Sequence, residues 1–247
     1  MNRFEGSFKP VKKYLSTCLL GIAALLGGAS PGWAQVSLGA ASGFAVLGGT
    51  AVTCTAGVVT GDVGVSPGIA FTNTGCTIAG RTPPATNAAA VLARTDFLIA
   101  YAALAAVSCE HTISVAAFTD DVPALEPLAP GVYCFPAAVT FTRTTLTLDG
   151  PANGIWVFKV GAGLTGTGFS VVMANGAQAR DVFWAPSGAA TMTDSAFKGN
   201  ILAGDAAIGS ITLTRGTFAG RALANVAVSM TGAGVIGCGA LSGSSSC

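Results

Sequence analysis

Thr191-Met-Thr193 and Thr212-Leu-Thr214 have the same form, and each is followed a few residues later by an aromatic side chain. The first pair continues as Ser195-Ala-Phe-Lys-Gly-Asn-Ile-Leu202 and the second as Thr217-Phe-Ala-Gly-Arg-Ala-Leu223. In a β-strand, residues i and i+2 point to the same face. The two hydroxyls of each pair therefore share one face, and the Met or Leu between them points to the other.

The hydroxyl–any–hydroxyl form recurs through the C-terminal half of the chain. Its first residues lie 20, 26, 21 and 17 positions apart, in Thr145-Leu-Thr147, Thr165-Gly-Thr167, Thr191-Met-Thr193, Thr212-Leu-Thr214 and Ser229-Met-Thr231. Aromatic blocks precede two of the pairs, in Ile155-Trp-Val-Phe158 and Val182-Phe-Trp184. Three strands and a turn in about 20 residues are typical of one coil of a three-sided β-solenoid. A β-sandwich is the alternative, but stacked Thr pairs favour the solenoid because only stacking makes such pairs neighbours.

The N-terminal half combines short strands with one helix. Residues 36–80 run in short β-branched stretches broken by Gly, Pro and Asn, which predicts strands. Residues 86–107 contain neither Gly nor Pro and are rich in Ala. The spacing predicts a helix there, with Thr86 or Asn87 at its N-cap. Its predicted apolar stripe comprises Val91, Leu92, Thr95, Leu98, Ala102 and Ala105.

Residues 1–34 have the composition of a secretory signal peptide. Arg3, Lys9, Lys12 and Lys13 precede an apolar run from Tyr14 to about Ala29, and Gly32-Trp33-Ala34 places small residues at a cleavage site. The apolar run is shorter than the ~20 residues that span a bilayer. We expect cleavage after Ala34, secretion to the extracellular space, and one domain over residues 35–247.

The charge balance of the mature chain excludes a class of partners. Removing residues 1–34 takes four of the 12 basic residues and one of the 11 acids, and leaves a net charge near −2. Such a chain does not attract phosphate backbones or anionic lipid, so we expect no nucleic acid and no membrane as partner. Only 9% of residues are charged, so the surface faces water through hydroxyls, small residues and backbone.

Six cysteines remain after cleavage, and an even number in an exported chain predicts disulfides. Sequence proximity favours the pairs Cys54–Cys76, Cys109–Cys134 and Cys238–Cys247, although six cysteines allow 15 connectivities. A zinc site is the alternative, but no C-x-x-C pair occurs and His111 is the only histidine. We expect no metal and no cofactor.

No catalytic constellation is recognisable in the sequence. Solenoid lyases and hydrolases use clustered carboxylates or basic residues in a groove. Here Asp120-Asp121 is the only acidic pair, and it lies in a Pro-rich linker. The other acids are scattered singly, and no Gly-x-Ser-x-Gly elbow or phosphate-binding loop occurs. We therefore expect no enzymatic activity.

Stacked Thr pairs would form a flat array of methyls and hydroxyls. Adjacent strands lie about 4.8 Å apart and residues i and i+2 about 6.5–7 Å apart. A flat, nearly uncharged grid suits a solid, ordered ligand better than a small molecule in a pocket. The simpler interpretation is that Thr is a good strand residue on solvated faces.

The sequence resembles the microbial ice-binding proteins that fold as a discontinuous right-handed β-solenoid with a long helix along one side. The resemblance covers nearly the whole mature chain. Besides the helix, it rests on Leu38–Leu47, Thr60–Gly68, Pro130–Phe135, Leu146–Asp149, Trp156–Phe158, Val182–Trp184, Gly199–Ala203 and Gly220–Ala224. It implies a mainly β fold, an irregular three-sided right-handed β-solenoid, whose N-terminal strands complete the stack beside the C-terminal coils.

The resemblance also implies ice binding through one flat solenoid face, often by Thr-Ala/Gly-x-Thr/Asn tetrads. Thr50-Ala51-Val52-Thr53 fits that tetrad, whereas Thr165–Gly168 and Thr231–Gly234 keep only its first half. Two kinds of position thus make up the predicted ice-binding set. They are the tetrad residues Thr50 and Thr53, and the paired residues Thr145, Thr147, Thr165, Thr167, Thr191, Thr193, Thr212, Thr214, Ser229 and Thr231.

The expected function is that of a secreted antifreeze or recrystallisation-inhibiting protein that acts as a monomer on the ice surface. The alternative is an extracellular adhesin or matrix protein that binds glycan, mineral or protein on the same scaffold. Two of the three tryptophans, Trp156 and Trp184, lie in strand blocks where burial is expected. Since glycan grooves normally expose aromatic residues, this points away from sugar.

Overall fold

All the strand pairings are parallel, and the strands wind into a solenoid with three faces. The structure is a computed structural model that describes residues 36–120 and 127–238. The predicted signal peptide and its cleavage site lie outside the described residues, so they stay predictions. A β-sandwich of antiparallel sheets is excluded, and the predicted mainly β solenoid with one long helix is confirmed.

The first face carries the helix and is called the helix-side face. Its strands form an eight-stranded sheet. They are β1 (Phe44–Gly48), β4 (Asp62–Val65), β7 (His111–Thr112), β9 (Gly131–Phe135), β12 (Trp156–Val160), β15 (Val182–Pro186), β17 (Asn200–Ala203) and β19 (Ala222–Ala224).

The second face is called the threonine face. It is made of β2 (Ala51–Thr55), β5 (Ala70–Thr74), β8 (Ala117–Phe118), β10 (Val139–Thr142), β13 (Leu164–Thr167), β20 (Ala227–Thr231) and the first halves of β16 (Ala190–Lys198) and β18 (Ile211–Ala219). The third face contains the second halves of β16 and β18. Its other strands are β3 (Val58–Thr60), β6 (Thr77–Ala79), β11 (Thr145–Asp149), β14 (Ser170–Ala174) and β21 (Gly234–Ile236).

The coils do not stack in chain order. The C-terminal coil, β19 to β21, pairs with the N-terminal coil, β1 to β3, on all three faces. The coil β4 to β6 pairs with β1 to β3 and forms one end of the described stack, and the short strands β7 and β8 lie at the other end. The predicted placement of the N-terminal strands beside the C-terminal coils is thus confirmed.

The interior of the solenoid is filled by aliphatic and aromatic side chains from all three faces. Aromatic rings stack from coil to coil. Phe141 stacks on Phe169 at 4.3 Å between ring centroids, and Phe158 stacks on Trp184 at 4.0 Å. Offset and stacked pairs add to the stability that burial already gives. Both Trp156 and Trp184 are fully buried.

Helix α1 (Asn87–Ala106) covers the helix-side face, and its bounds agree with the prediction. By length and composition alone it could span a membrane, yet here one side of it packs on the solenoid. The buried residues are Ala90, Ala93, Phe97, Ala100 and Leu104. Small residues there let the helix approach the sheet closely.

The predicted stripe of the helix was wrong except at Leu98, which is partly buried against the solenoid. Val91 and Leu92 are more than half exposed, because the buried side is set by the small residues and Phe97 rather than by the largest aliphatic side chains. The predicted N-cap position is confirmed. Thr86 is at the N-cap position but makes no side-chain cap bond, and its Oγ1 donates to the Val63 carbonyl at 2.8 Å.

Two of the predicted disulfides, Cys54–Cys76 and Cys109–Cys134, are present. The first disulfide links β2 to a residue between β5 and β6, and so joins the end coil to its neighbour. The Asn73 side chain stabilises the turn that carries Cys76. Asn73 Oδ1 accepts from the Cys76 N–H, and its Nδ2 donates to the Cys76 carbonyl. Cys247 lies outside the described residues, so the third pair, Cys238–Cys247, stays a prediction.

Candidate functional site

Hydroxyl side chains form two unbroken columns on the threonine face. Strand pairing places seven residues of the first column in register, namely Thr140, Thr165, Thr191, Thr212, Ser229, Thr53 and Thr72. The second column comprises Thr142, Thr167, Thr193, Thr214, Thr231, Thr55 and Thr74. Fourteen consecutive grid positions thus hold thirteen threonines and one serine.

The columns point outward because each strand alternates between a buried and an open position. In β18, Ile211 and Leu213 are buried while Thr212 and Thr214 are partly open. The same alternation holds in β2, β10 and β16. A pleated strand sends successive side chains to opposite faces. The hydrophobic interior therefore fixes which way the hydroxyls point.

The dimensions of the array follow from strand geometry. Six steps between adjacent strands of about 4.8 Å give columns about 29 Å long, and residues i and i+2 place the two columns about 6.5–7 Å apart. Small residues border the first column, since Ala51, Ala70 and Ala227 pair with one another two places before it. Ala189 and Ser210 occupy the same place directly before β16 and β18. Small neighbours leave the hydroxyls unobstructed on that side.

None of the fourteen positions in the two columns is charged. The nearest charges lie at the corner where the threonine face meets the third face, one residue after the second column. Arg143 Nε donates to Asp120 Oδ2 at 2.6 Å, and Arg215 donates to both oxygens of Asp194 at 2.6 Å. The hydrogen bonds from Arg215 hold the pKa of Asp194 below its usual range.

The corner itself is turned by residues in the left-handed region of φ. These are Arg143, Gly168, Asp194, Arg215, Gly232, Ala56 and Gly75, each directly after a residue of the second column. Ladder hydrogen bonds continue through the corner, for example from Arg143 N to the Thr167 carbonyl at 2.8 Å. The hydrogen-bond ladder between parallel strands therefore continues past the second column to the edge of the threonine face.

A family model described as Ice-binding-like matches residues 46–236 of this chain. The chain belongs to the ice-binding-like family.

The chain is similar over most of its length to several ice-binding proteins, some of them with solved structures. An ice-binding protein of Nostoc sp. (strain HG1) is 38% identical over 200 residues, which cover 78% of this chain and 71% of that protein. One from Flavobacterium frigoris (strain PS1) is 31% identical over 210 residues, which cover 79% and 74%. The crystal structure of an ice binding protein from an Antarctic biological consortium aligns with a TM-score of 0.68 at 30% identity, over 82% of this chain and 91% of that chain.

The structure brings most residues of the predicted ice-binding set together. Nine of them lie in the two columns: Thr53, Thr165, Thr167, Thr191, Thr193, Thr212, Thr214, Ser229 and Thr231. Their role in ice binding stays a prediction.

Three predicted residues lie outside the two columns, and the predicted stacking of Thr145 and Thr147 with the other pairs was wrong. Thr145 and Thr147 belong to β11 on the third face, where they pair with Ser170 and Val172. Thr50 precedes β2, and its Oγ1 donates to the Val226 carbonyl at 3.0 Å. Strand β10 takes the place in the array that had been assigned to β11, because the chain has already turned the corner at Arg143.

Five column residues were missed: Thr55, Thr72, Thr74, Thr140 and Thr142. A local signal was present, since Thr53-Cys-Thr55, Thr72-Asn-Thr74 and Thr140-Phe-Thr142 have the same hydroxyl–any–hydroxyl form as the pairs that were recognised.

The acids and the histidine of the described residues are engaged individually. Asp62 is buried and accepts from Arg81, Asp149 accepts from Asn175, and His111 stacks on Tyr133 at 4.8 Å. Residues 36–120 and 127–238 contain no group of three or more His, Cys, Asp or Glu that could hold a metal ion.

Concave sites occur beside the helix. One of about 270 Å³ is lined by Tyr101 and Lys159, whose Nζ donates to the carbonyls of Ala105 and Val107 at the end of α1. Another, of about 360 Å³, is lined by Ile69, Val91 and Arg94. The threonine face, in contrast, offers an extended array of hydroxyls in register on one sheet, which suits a partner with a regular surface.

Proposed function

We propose that this protein binds ice through the threonine face. The observation that carries the proposal is the register of the two hydroxyl columns, which runs without interruption through seven strands. A solid ligand repeats its own structure over tens of ångströms, so only a binding surface that repeats as well makes many equivalent contacts with it. The relatives from Nostoc and Flavobacterium, which are named as ice-binding proteins, support this assignment.

The chemistry of threonine suits water as a ligand. Each hydroxyl donates one hydrogen bond and accepts others, and the parallel strands hold it at a fixed place on the grid. Each neighbouring methyl limits the positions that water takes between the hydroxyls. Since the face is already ordered by the packed interior, little side-chain freedom is lost on binding, and β-branched residues have few rotamers to lose. Many weak contacts then add up to stable adsorption.

Adsorption explains an effect on crystal growth without turnover. A protein held on the ice surface forces the front to grow as a curved surface between neighbouring molecules, and this stops growth at low protein concentration. The scattered acids and the flat face give no catalytic groove, so we infer that the protein is not an enzyme and needs no cofactor. We further infer that it is secreted, oxidised and active as a monomer.

A glycan-binding adhesin is the alternative on the same scaffold, and the structure gives it little support. Flat sugar rings are usually held by exposed aromatic side chains, but both strand tryptophans are fully buried in the solenoid. The large exposed hydrophobic residues are aliphatic, such as Ile69 and Ile99. Ice therefore remains the better-supported ligand.

The experiment that tests the proposal compares two substitutions on one strand. Thr212 and Thr217 both belong to β18, but Thr212 lies in the first column and Thr217 is exposed on the third face. We expect purified Thr212→Tyr to lose most of its inhibition of ice recrystallisation, while Thr217→Tyr matches the parent protein. Equal activity of the two variants would place the binding surface elsewhere, and an inactive parent protein would refute ice binding itself.

A further inference from the structure

The corner beside the second column carries a pattern that is visible only in the order of the stacked coils. Read from the β8 end, Asp120 lies two residues after β8 and binds Arg143 at the corner, and Gly168 follows in the next coil. The next three coils place Asp194, Arg215 and Gly232 at the corner. The sequence Asp–Arg–Gly therefore occurs twice in space, although its members are about 20 residues apart in the chain. We call these the corner triplets.

Each arginine of a corner triplet contacts the coils on both sides. Its guanidinium binds the carboxylate of the preceding coil, at 2.6 Å in both triplets. Its stem passes over the glycine of the following coil, where a Cβ on Gly168 would lie 3.3 Å from Arg143 Cγ and one on Gly232 would lie 3.5 Å from Arg215 Cγ. The arginine side chain thus lies along the corner and spans three coils.

Stability does not explain this pattern. The four charged side chains are between 41% and 71% exposed, and exposed ion pairs contribute little to stability because water screens them. Arg143, Asp194 and Arg215 also adopt φ values of 49°, 50° and 54°, which are unfavourable for a residue that carries a side chain.

We propose that the aspartates of the corner triplets neutralise the arginines at the edge of the threonine face, so that no unpaired charge disturbs the water that the second column binds. This inference rests on the proposed function. Asp194 follows Thr193 and Arg215 follows Thr214, so an unpaired charge there would stand beside the second column. A charged group orients the water around itself, and that arrangement competes with the lattice that the hydroxyls favour.

The test is a double-mutant cycle on the second triplet. Asp194→Asn leaves Arg215 unpaired, Arg215→Gln leaves Asp194 unpaired, and the double variant carries no charge at either position. Asn tolerates the left-handed region, and Gln keeps most of the stem that covers Gly232. Adsorption to ice and inhibition of recrystallisation are measured for all four proteins, together with the thermal unfolding midpoint.

We expect each single variant to lose activity several-fold and the double variant to regain the activity of the parent, with closely similar unfolding midpoints throughout. Recovery in the double variant is the outcome that a purely structural clamp would not give, because that variant lacks the clamp as well. Unchanged activity in the single variants, or a double variant as weak as either of them, would overturn the proposal. A parent protein that does not adsorb would refute the proposed function itself, and with it this role.

Discussion

Ser229 lies beside Thr212 on the neighbouring parallel strand, and Thr53 lies on its other side. It is the one residue in the two columns that carries a hydroxyl without a methyl. The two columns therefore contain a single gap in their array of methyl groups, close to the place where the N-terminal coil joins the C-terminal coil.

We expect Ser229→Thr to raise ice-binding activity, because the added methyl completes the first column without disturbing any buried group. Ser229 is exposed and its neighbours Val228 and Met230 are buried, so the change affects only the surface and stability should move by less than about 0.5 kcal/mol. Recrystallisation inhibition over a concentration series measures the effect. Ser170→Thr, the same change on the third face, is the matched control and should leave activity as it is. Activity that falls in Ser229→Thr would contradict a role for the methyl groups.

The middle of the array could be predicted from sequence, and its ends could not. The pairs from Thr165 to Thr231 repeat along the chain at nearly the length of one coil, so their stacking is a local consequence of strand length. Thr53 and Thr55 join the same columns only because β2 pairs with β20. That contact closes a separation of about 180 residues and depends on the discontinuous order of the coils, which only the resemblance indicated.

The pairing within the corner triplets could not be predicted from the sequence either. Asp194 and Arg215 lie 21 residues apart in the sequence, where the acids outside Asp120-Asp121 are scattered singly. Their pairing follows from the register of β16 and β18, which shifts with every small difference in coil length. Coil lengths here vary from 17 to 26 residues between equivalent positions. A fixed sequence period therefore does not predict that these two side chains are neighbours.

The disulfide between Cys54 and Cys76 should stabilise one end of the array. Cys54 is fully buried behind Thr53 and Thr55, and Cys76 follows β5, which carries Thr72 and Thr74. We expect Cys54→Ala/Cys76→Ala to lower the free energy of unfolding by about 3 kcal/mol, as for closure of a loop of this length. Urea unfolding measures the loss, and hydrogen exchange should show faster opening of β5 and β6.

The second disulfide provides the control for that measurement. Cys109 and Cys134 close a similar loop, with a separation of 25 residues compared with 22, but they lie away from β5 and β6. Cys109→Ala/Cys134→Ala should cost a similar free energy and leave exchange in β5 and β6 unchanged. Equal acceleration of these strands in both double variants would mean that the Cys54–Cys76 bond has no local effect.

The side of α1 that packs on the solenoid can be tested with two alanine substitutions. Phe97 is fully buried on the helix-side face, whereas Leu92 on the same helix is 64% exposed. Phe97→Ala should destabilise the protein by about 3–5 kcal/mol, since it removes a large buried side chain and leaves a cavity. Leu92→Ala should change the free energy of unfolding by less than about 0.5 kcal/mol. Comparable losses would show that the outer side of the helix is also buried, which the structure excludes.

The pH dependence of ice binding should report the second corner triplet. Arg215 donates to both carboxylate oxygens of Asp194 and is the charged side chain that contacts it in the described structure. Its hydrogen bonds lower the pKa of Asp194. A carboxyl group whose folded pKa is depressed contributes above its ordinary pKa and loses that contribution only as the pH falls through the lower folded value.

We therefore expect ice-binding activity to stay constant as the pH falls from 7 to about 4, near the ordinary pKa of aspartic acid. Below that pH, activity should decline because Asp194 takes up a proton and releases Arg215. The Asp194→Asn/Arg215→Gln protein has no such pair and should show a smaller decline over the same range. Recrystallisation inhibition in buffers of matched ionic strength measures both profiles, with far-ultraviolet circular dichroism to confirm that the fold persists. Two superimposable profiles would mean that pairing at the corner does not influence adsorption.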